Sequence, residues 1–233
     1  MRTLVELLSA DDAWPTIVDW VAAAGGAEVL PPAPKAADDT LLALQVTTRS
    51  ALGSIAQHSG GIVVDSGWLR LLGSGHPRLG GGLREWNASL GGRPLDPPLD
   101  GAVVVAYDAL GGFFAVNGGA WPADLGLVHY LAPDTQAWES LGLGHGAFVQ
   151  WSLSDRPAKF YADDRWEGWR DEVELLGPDE ILSVYPPLGF ESTPIGSRAR
   201  RPVPARAQWS LVHEIARQTA GLPDGAAVRF AVE

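Results

Sequence analysis

Four residues of the glycine-rich stretch GGIVVDSGWLRLLGSGHPRL (60–79), Asp65, Arg70, His76 and Arg78, come nearest in type and spacing to a chemical site. An imidazole titrates near neutrality, and a guanidinium grips a carboxylate or phosphate through two parallel N–H groups. With Asp65 and Arg70, the His76-Pro77-Arg78 triplet would make a pocket for an enzyme acting on a small polar substrate. The same side chains would also serve as staples for the carbonyls of a loop that glycine leaves loose. Gly73-Ser74-Gly75-His76 holds only fragments of a G-x-S-x-G nucleophile elbow. Trp68 shares the stretch, as a binding residue or as core filling.

A second group, Asp163, Asp164, Arg165 and Glu167, crowds charge around Trp166 and Trp169. Paired carboxyls do acid–base work when burial raises one pKa. Left in water they cap the helix that follows. As an interface, Trp166 and Trp169 would anchor a partner while Asp163 and Asp164 steer it by charge, although tryptophans three apart also suit a buried helix face. Trp121, beside Pro122, is expected to be exposed and joins the binding residues. No residue is assigned a catalytic role. His58, His129, His145 and His213 lack the spacing of a metal pair, so neither a metal nor another cofactor is expected.

Composition narrows the functions further. With 233 residues, 46% of them apolar, the chain can fill one substantial core. The absence of cysteine removes disulfides, thiolate zinc sites and thiol nucleophiles, and fits a reducing cytoplasm. The opening MRTLVELLSADDAWP turns acidic before an apolar signal core develops, and no apolar run reaches the roughly 18 residues of a membrane span. A cytoplasmic protein that leaves membranes alone is expected. A net charge of -11 would repel nucleic acid and suit a basic protein partner, toxin-like in kind. SRARRPVPAR (197–206) is a local exception, with four arginines among two prolines; it reads as a phosphate-binding arm or as an exposed linker.

Positioning these residues falls to the elements around them. Leu4, Leu7 and Leu8 predict a short helix, and Pro15 to Gly25-Gly26 a second. Alternation predicts strands at 41–48, 54–57 and 61–65, with Ser59-Gly60-Gly61 as a hairpin turn. A short helix is expected at 83–90. Then GAVVVAYDALGGFFAVNGGAWPADLGLVHYLAPD (101–134) reads as a three-stranded meander, its turns at Gly111-Gly112 and Asn117-Gly118-Gly119. Further expectations are a helix capped by Asp134 or Thr135 through Trp138 to Leu141, a helix at 147–153, an edge strand at 159–161, a helix at 166–176 and a strand at 181–185. After Phe190 the composition shifts to Ser, Pro and Arg, before a short helix carrying Trp209, Val212 and Ile215.

Several phrases together resemble the bacterial domain-of-unknown-function family 2625 (DUF2625). They are AWP (13–15), VLPP (29–32), QVTTRSALGSI (45–55), GGIVVDSGWLRLLGSGHPRL (60–79), FFAVNGG (113–119), VHYLAPDTQAWESLG (128–142), FYADDRWEGW (160–169) and YPPL (185–188). More distantly, the order of a Gly-Asn-Gly-type hairpin, a strand, a capped helix and a Trp-rich helix is similar to the Smi1/Knr4-type (SUKH) superfamily. That resemblance implies an α+β fold and, in many bacterial members, immunity proteins that neutralise toxins. DUF2625 itself supplies no catalytic residues.

The expected architecture is α+β: a mainly antiparallel twisted sheet, covered on one side by helices, over residues 1–190, with a Pro/Arg-rich linker and C-terminal helix at 191–233. The expected function is a non-enzymatic protein-binding module of immunity or regulatory type, with the enzyme around Asp65, Arg70, His76 and Arg78 as the alternative. A homodimer through an edge strand or the last helix stays open.

Overall fold

The computed structural model describes residues 1–190 and 193–222. Helices α1 (Leu4–Leu7) and α2 (Trp14–Ala24) open the chain. Pro15 sits in the first turn of α2, where a missing N–H costs nothing, and Gly25 ends the helix in the left-handed conformation at φ 63°. Strand β1 (Ala27–Leu30) follows, then α3 (Pro34–Leu44) and α4 (Ala51–His58).

The strands expected at 41–48 and 54–57 are thus corrected: the first half of 41–48 ends α3 and the rest is a turn, while 54–57 lies wholly in α4. Pro34 starts α3, Lys35 pairs with Asp39 one turn on at 2.8 Å, and the buried Ala37, Thr40 and Leu41 recur at helical spacing. The alternation of Leu42, Leu44 and Val46 was the weaker of two periodicities. In α4, Ser50 caps the Gly53 N–H at 3.1 Å. Ser59-Gly60-Gly61 is consequently the joint from helix to strand rather than a hairpin turn.

Strands β2 (Gly61–Val64) and β3 (Leu69–Leu72) flank a tight 3-10 turn at Asp65–Gly67. Helix α5 (Leu83–Trp86) precedes β4 (Ala102–Asp108), β5 (Phe113–Asn117), β6 (Leu127–Leu131) and β7 (Trp138–Gly144). The seven strands form one sheet in chain order, every neighbouring pair antiparallel. The helix expected at Trp138 to Leu141 is therefore β7. Gln136 adopts φ 51° and its N–H bonds Ala132 at 3.0 Å, so Asp134 and Thr135 close a hairpin in place of capping a helix.

Beyond β7 come α6 (His145–Ser152), α7 (Arg156–Phe160), α8 (Trp169–Glu174), β8 (Glu180–Tyr185), β9 (Ala199–Pro204) and α9 (Ala205–Thr219). The edge strand expected at 159–161 is the end of α7, whose Pro157 suits a helical first turn. Strands β8 and β9 pair antiparallel over their full lengths, Glu180 opposite Pro204 and Tyr185 opposite Ala199. Of the extension expected at 191–233, residues 191, 192 and 223–233 lie outside the described residues; the rest contributes β9 and α9, which buries Trp209, Val212 and Ile215.

Helices cover the large sheet on both faces, where one had been expected. The adjacent Phe113 and Phe114 point to opposite sides, as strand geometry requires, and both are fully buried. Phe114 packs on Tyr130 and on Phe148 of α6, while Phe113 meets Trp86 of α5 and Trp209 of α9. Each such ring stabilises the fold by about 1.5–3 kcal/mol.

Candidate functional site

Arg70 lies on β3 opposite Tyr107 of β4, 5.6 Å above its ring. Its Nη1 donates to the carbonyls of Pro178 (3.1 Å) and Glu180 (3.0 Å), and its Nε to Gly67 (3.3 Å). The side chain is buried and ties the sheet to the entry of β8. Arg78 donates to Glu28 of β1 at 2.6 Å. That hydrogen bond holds Glu28 below the usual carboxylate range, with the charges of Arg78 and His76 adding to it. The Nδ1 of His76 accepts the Arg78 backbone N–H at 3.1 Å.

Asp65 is clamped between Arg165 (2.6 Å) and Arg170 (3.2 Å). It and Ser66 are both left-handed, at φ 51° and 57°, a conformation that costs a residue with a side chain about 1–3 kcal/mol. Arg70 and Arg78 line one cleft of about 460 Å³. Its walls are the 3-10 turn at Ser66 and Gly67, Glu28 of β1, and Val173, Glu174 and Leu176 at the end of α8. Asp65 and His76 stand outside that lining, so the expected foursome comes together only in part.

Trp166 and Trp169 are buried around a fully buried Trp68, at ring distances of 6.0 and 4.9 Å. Arg165 is inserted over Trp169 (4.3 Å) and Trp68 (4.8 Å), which leaves it facing Asp65. Arg200 of β9 covers Trp166 at 4.2 Å and forks onto Glu172 at 2.9 and 3.0 Å. In this chain the three indoles are pillars between α8 and the sheet, occupied by their own arginines. Trp121, expected to be exposed, is half-buried and stacked on His129 at 4.3 Å. Asn117 draws its loop inward by donating to the carbonyls of Trp121 (2.9 Å) and Ala123 (2.7 Å).

A more deeply placed carboxylate was not anticipated. Asp108, at the end of β4, is buried and accepts four hydrogen bonds. One oxygen takes the N–H groups of Leu110 (3.0 Å) and Gly112 (2.8 Å), the other the hydroxyls of Tyr130 (2.8 Å) and Tyr161 (3.2 Å). Burial raises its pKa, and the four donors oppose the rise. A Cβ on Gly112 would overlap both the carboxylate and the Tyr130 hydroxyl, so only glycine fits there. The phrase YDALGG (107–112) spells the local half of this network, an Asp whose side chain closes a Gly-Gly turn. The two tyrosines, 22 and 53 residues further on, leave no local signal.

Asp164, near both tyrosines, is pushed up to about 6 by burial first and then by Asp108, Asp134 and Asp163. An Asp12–His58 pair at 2.8 Å also has a serine beside it, yet Ser54 donates to Asp12 and not to the imidazole. A nucleophile relay needs the opposite order. Among the described residues no group of three or more His, Cys, Asp or Glu could hold a metal ion, and no helix is long and apolar enough to cross a membrane.

The family model "Protein of unknown function DUF2625" matches residues 4–208. An uncharacterised protein of Escherichia coli (strain K12), YbfG, is 37% identical over 219 residues, covering 92% of this chain and 97% of its own. An uncharacterised protein of Haemophilus influenzae is 32% identical over 195 residues, covering 81% of this chain and 83% of its own. No solved structure matches.

Proposed function

This chain belongs to the DUF2625 family, and from that premise we propose that it is a non-enzymatic recognition protein whose cleft edge binds a basic protein partner. The support is the pairing of charges. Arg70 is spent on backbone carbonyls, Arg78 on Glu28, and Asp65 on two arginines, so the groups that could have done chemistry are engaged within the fold. At the cleft mouth Leu175 is 85% exposed, beside the lining residues Glu174 and Leu176. An exposed leucine beside a carboxylate suits an anchor for a partner steered in by the net charge of -11. The immunity or regulatory type comes from the SUKH resemblance alone.

The test is affinity capture from the native host with the wild-type chain and with a Glu174→Lys, Leu175→Asp double variant. A basic protein recovered by the wild type, lost with the variant and weakened by added salt is the expected result. Equal recovery by both chains would remove the cleft from the interaction. One observation favours the alternative, an enzyme acting on a small polar substrate: Arg70 and Arg78 share the cleft with the left-handed Ser66. A ligand-induced shift in thermal stability that Arg78→Ala abolishes, with turnover of that ligand, would move the assignment there.

A further inference from the structure

We propose that the recess between α5, the loop that follows it and the first turn of α9 is an oxyanion site for the phosphate group of a phosphomonoester or pyrophosphate. Arg84, Arg93 and Arg206 line a recess of about 390 Å³, together with Glu85, Gly91 and Gly92. Three guanidinium groups from three separate segments converge in a chain with 28 acidic and 17 basic residues, so a generally basic surface does not account for them.

Two of the three are fixed in place. Arg206 lies over the Trp86 ring at 5.1 Å and donates to the carbonyls of Glu85, Pro94 and Arg93. Arg84 donates from Nε to the Leu90 carbonyl at 3.2 Å, and its Nη2 stands 3.4 Å from where a Cβ on Gly91 would be. Arg93 is exposed, and its guanidinium donates to no described residue.

The nearby carboxylates, Glu85 and Asp39, offset this charge only in part. Glu85 turns its Oε2 to the Gly82 N–H at 2.7 Å, and Asp39, 3.8 Å from Arg84, is already held by Lys35 at 2.8 Å. Burial, and then the neighbouring Arg93, press the Arg206 guanidinium below its ordinary pKa, with Glu85 opposing. An oxyanion between the three would remove that repulsion.

The loop is shaped for close approach. Gly91 is left-handed at φ 90°, and a Cβ on Gly92 would overlap the Arg84 carbonyl, so the lining here is bare backbone. Planar guanidinium forks match phosphate oxygens in pairs, which a lysine point charge does not. The net charge of -11 discriminates against polyanions, leaving a small phosphorylated group as the occupant.

Titration calorimetry of the full chain with inorganic pyrophosphate at low salt tests the assignment. Saturable binding at one site is expected, weakened at least about tenfold by Arg93→Ala and less by Arg93→Lys, which keeps the charge and loses the fork. Arg201→Ala, an exposed arginine on β9, should leave it unchanged. Absence of binding to the wild type, or equal binding by Arg93→Ala, would overturn the proposal. Sedimentation with phosphatidic-acid vesicles separates the sources: vesicle binding lost in Arg93→Ala, alongside pyrophosphate binding, assigns a lipid headgroup. Pyrophosphate binding without vesicle binding assigns a soluble phosphate, and vesicle binding without pyrophosphate binding overturns the site. The recess shares no lining residue with the cleft, so either can fail alone.

Discussion

The cleft lined by Arg70 and Arg78 and the recess lined by Arg84, Arg93 and Arg206 present the same side chain with one difference: every guanidinium of the cleft is engaged within the fold, and one of the recess is not. In the cleft each guanidinium has an acceptor close by: carbonyls at 3.0 and 3.1 Å for Arg70, and a carboxylate at 2.6 Å for Arg78. In the recess two guanidinium groups brace the loop, and the third has no acceptor among the described residues. A charge already matched inside the fold has little left to offer a ligand, because binding would first have to break what holds it. Residue type therefore says little about function here until each charge has been traced to its partner.

The paired charges of the first region should be indispensable to stability. Arg70→Ala should cost about 3 kcal/mol, seen as a lower urea midpoint, because it removes charge-assisted hydrogen bonds and leaves the carbonyls of the buried Gly67 and the part-buried Pro178 and Glu180 without their donor. Arg70→Lys should recover less than half of that, since one ammonium cannot span Gly67 and Glu180 together. Asp108→Asn follows at about 2 kcal/mol: the amide presents N–H groups where the native oxygen accepts either two backbone N–H groups or two hydroxyls. Tyr161→Phe, which deletes one donor of the four, should cost about 1 kcal/mol.

How much of this was legible depended on how local the cause was. The 101–134 meander could be read because Gly111-Gly112 and Asn117-Gly118-Gly119 announce their turns within the segment. The helical nature of 34–44 and 51–58 was hidden because leucines that alternate also satisfy a helical face, and the deciding signals, Pro34 and Ser50, lie at or before the segment starts. Trp138–Gly144 was misread because an Asp-Thr pair serves equally as a helix cap and as a hairpin turn; pairing with β6 decided between them. The candidate site was harder still. Asp65 meets its arginines 100 and 105 residues away, and Arg84 and Arg206 come together from segments 122 residues apart in the sequence. Nothing local encodes such encounters.

Two half-buried ionisable groups carry the contrast into pH. Asp164, raised to about 6 from an ordinary 3.8, binds its proton more tightly in the folded chain, so its contribution to stability grows as pH falls through 6 and is complete below about 4. Asp164→Asn should thus raise the unfolding free energy at pH 7 by about 1 kcal/mol after discounting for partial exposure, seen as a higher melting temperature, and lose that advantage by pH 4. His145 runs the other way. Its Nδ1 is enclosed without a partner, and burial lowers its pKa to about 4 from 6.5. The unfolded chain takes up that proton first, so stability is lost as pH falls from about 6.5 to 4, and His145→Gln should flatten the fall. Thermal melts of both variants against the wild type between pH 4 and 7 isolate each slope, since other carboxyls cancel in the differences.

The smallest expected effect on stability separates the two regions most cleanly. Arg93→Ala should change the unfolding free energy by no more than about 0.5 kcal/mol, because its guanidinium is bonded to nothing that the fold needs. Any charge relief beside Arg206 should make the sign favourable, more visibly at low salt, where repulsion between the two is least screened. With saturating pyrophosphate the order should reverse: by mass action the wild type gains more melting temperature than the more weakly binding variant. A variant that melts well below the wild type without ligand would show that Arg93 belongs with Arg70 as a staple. The recess would then be a second region of paired charge, and the contrast between the two would disappear.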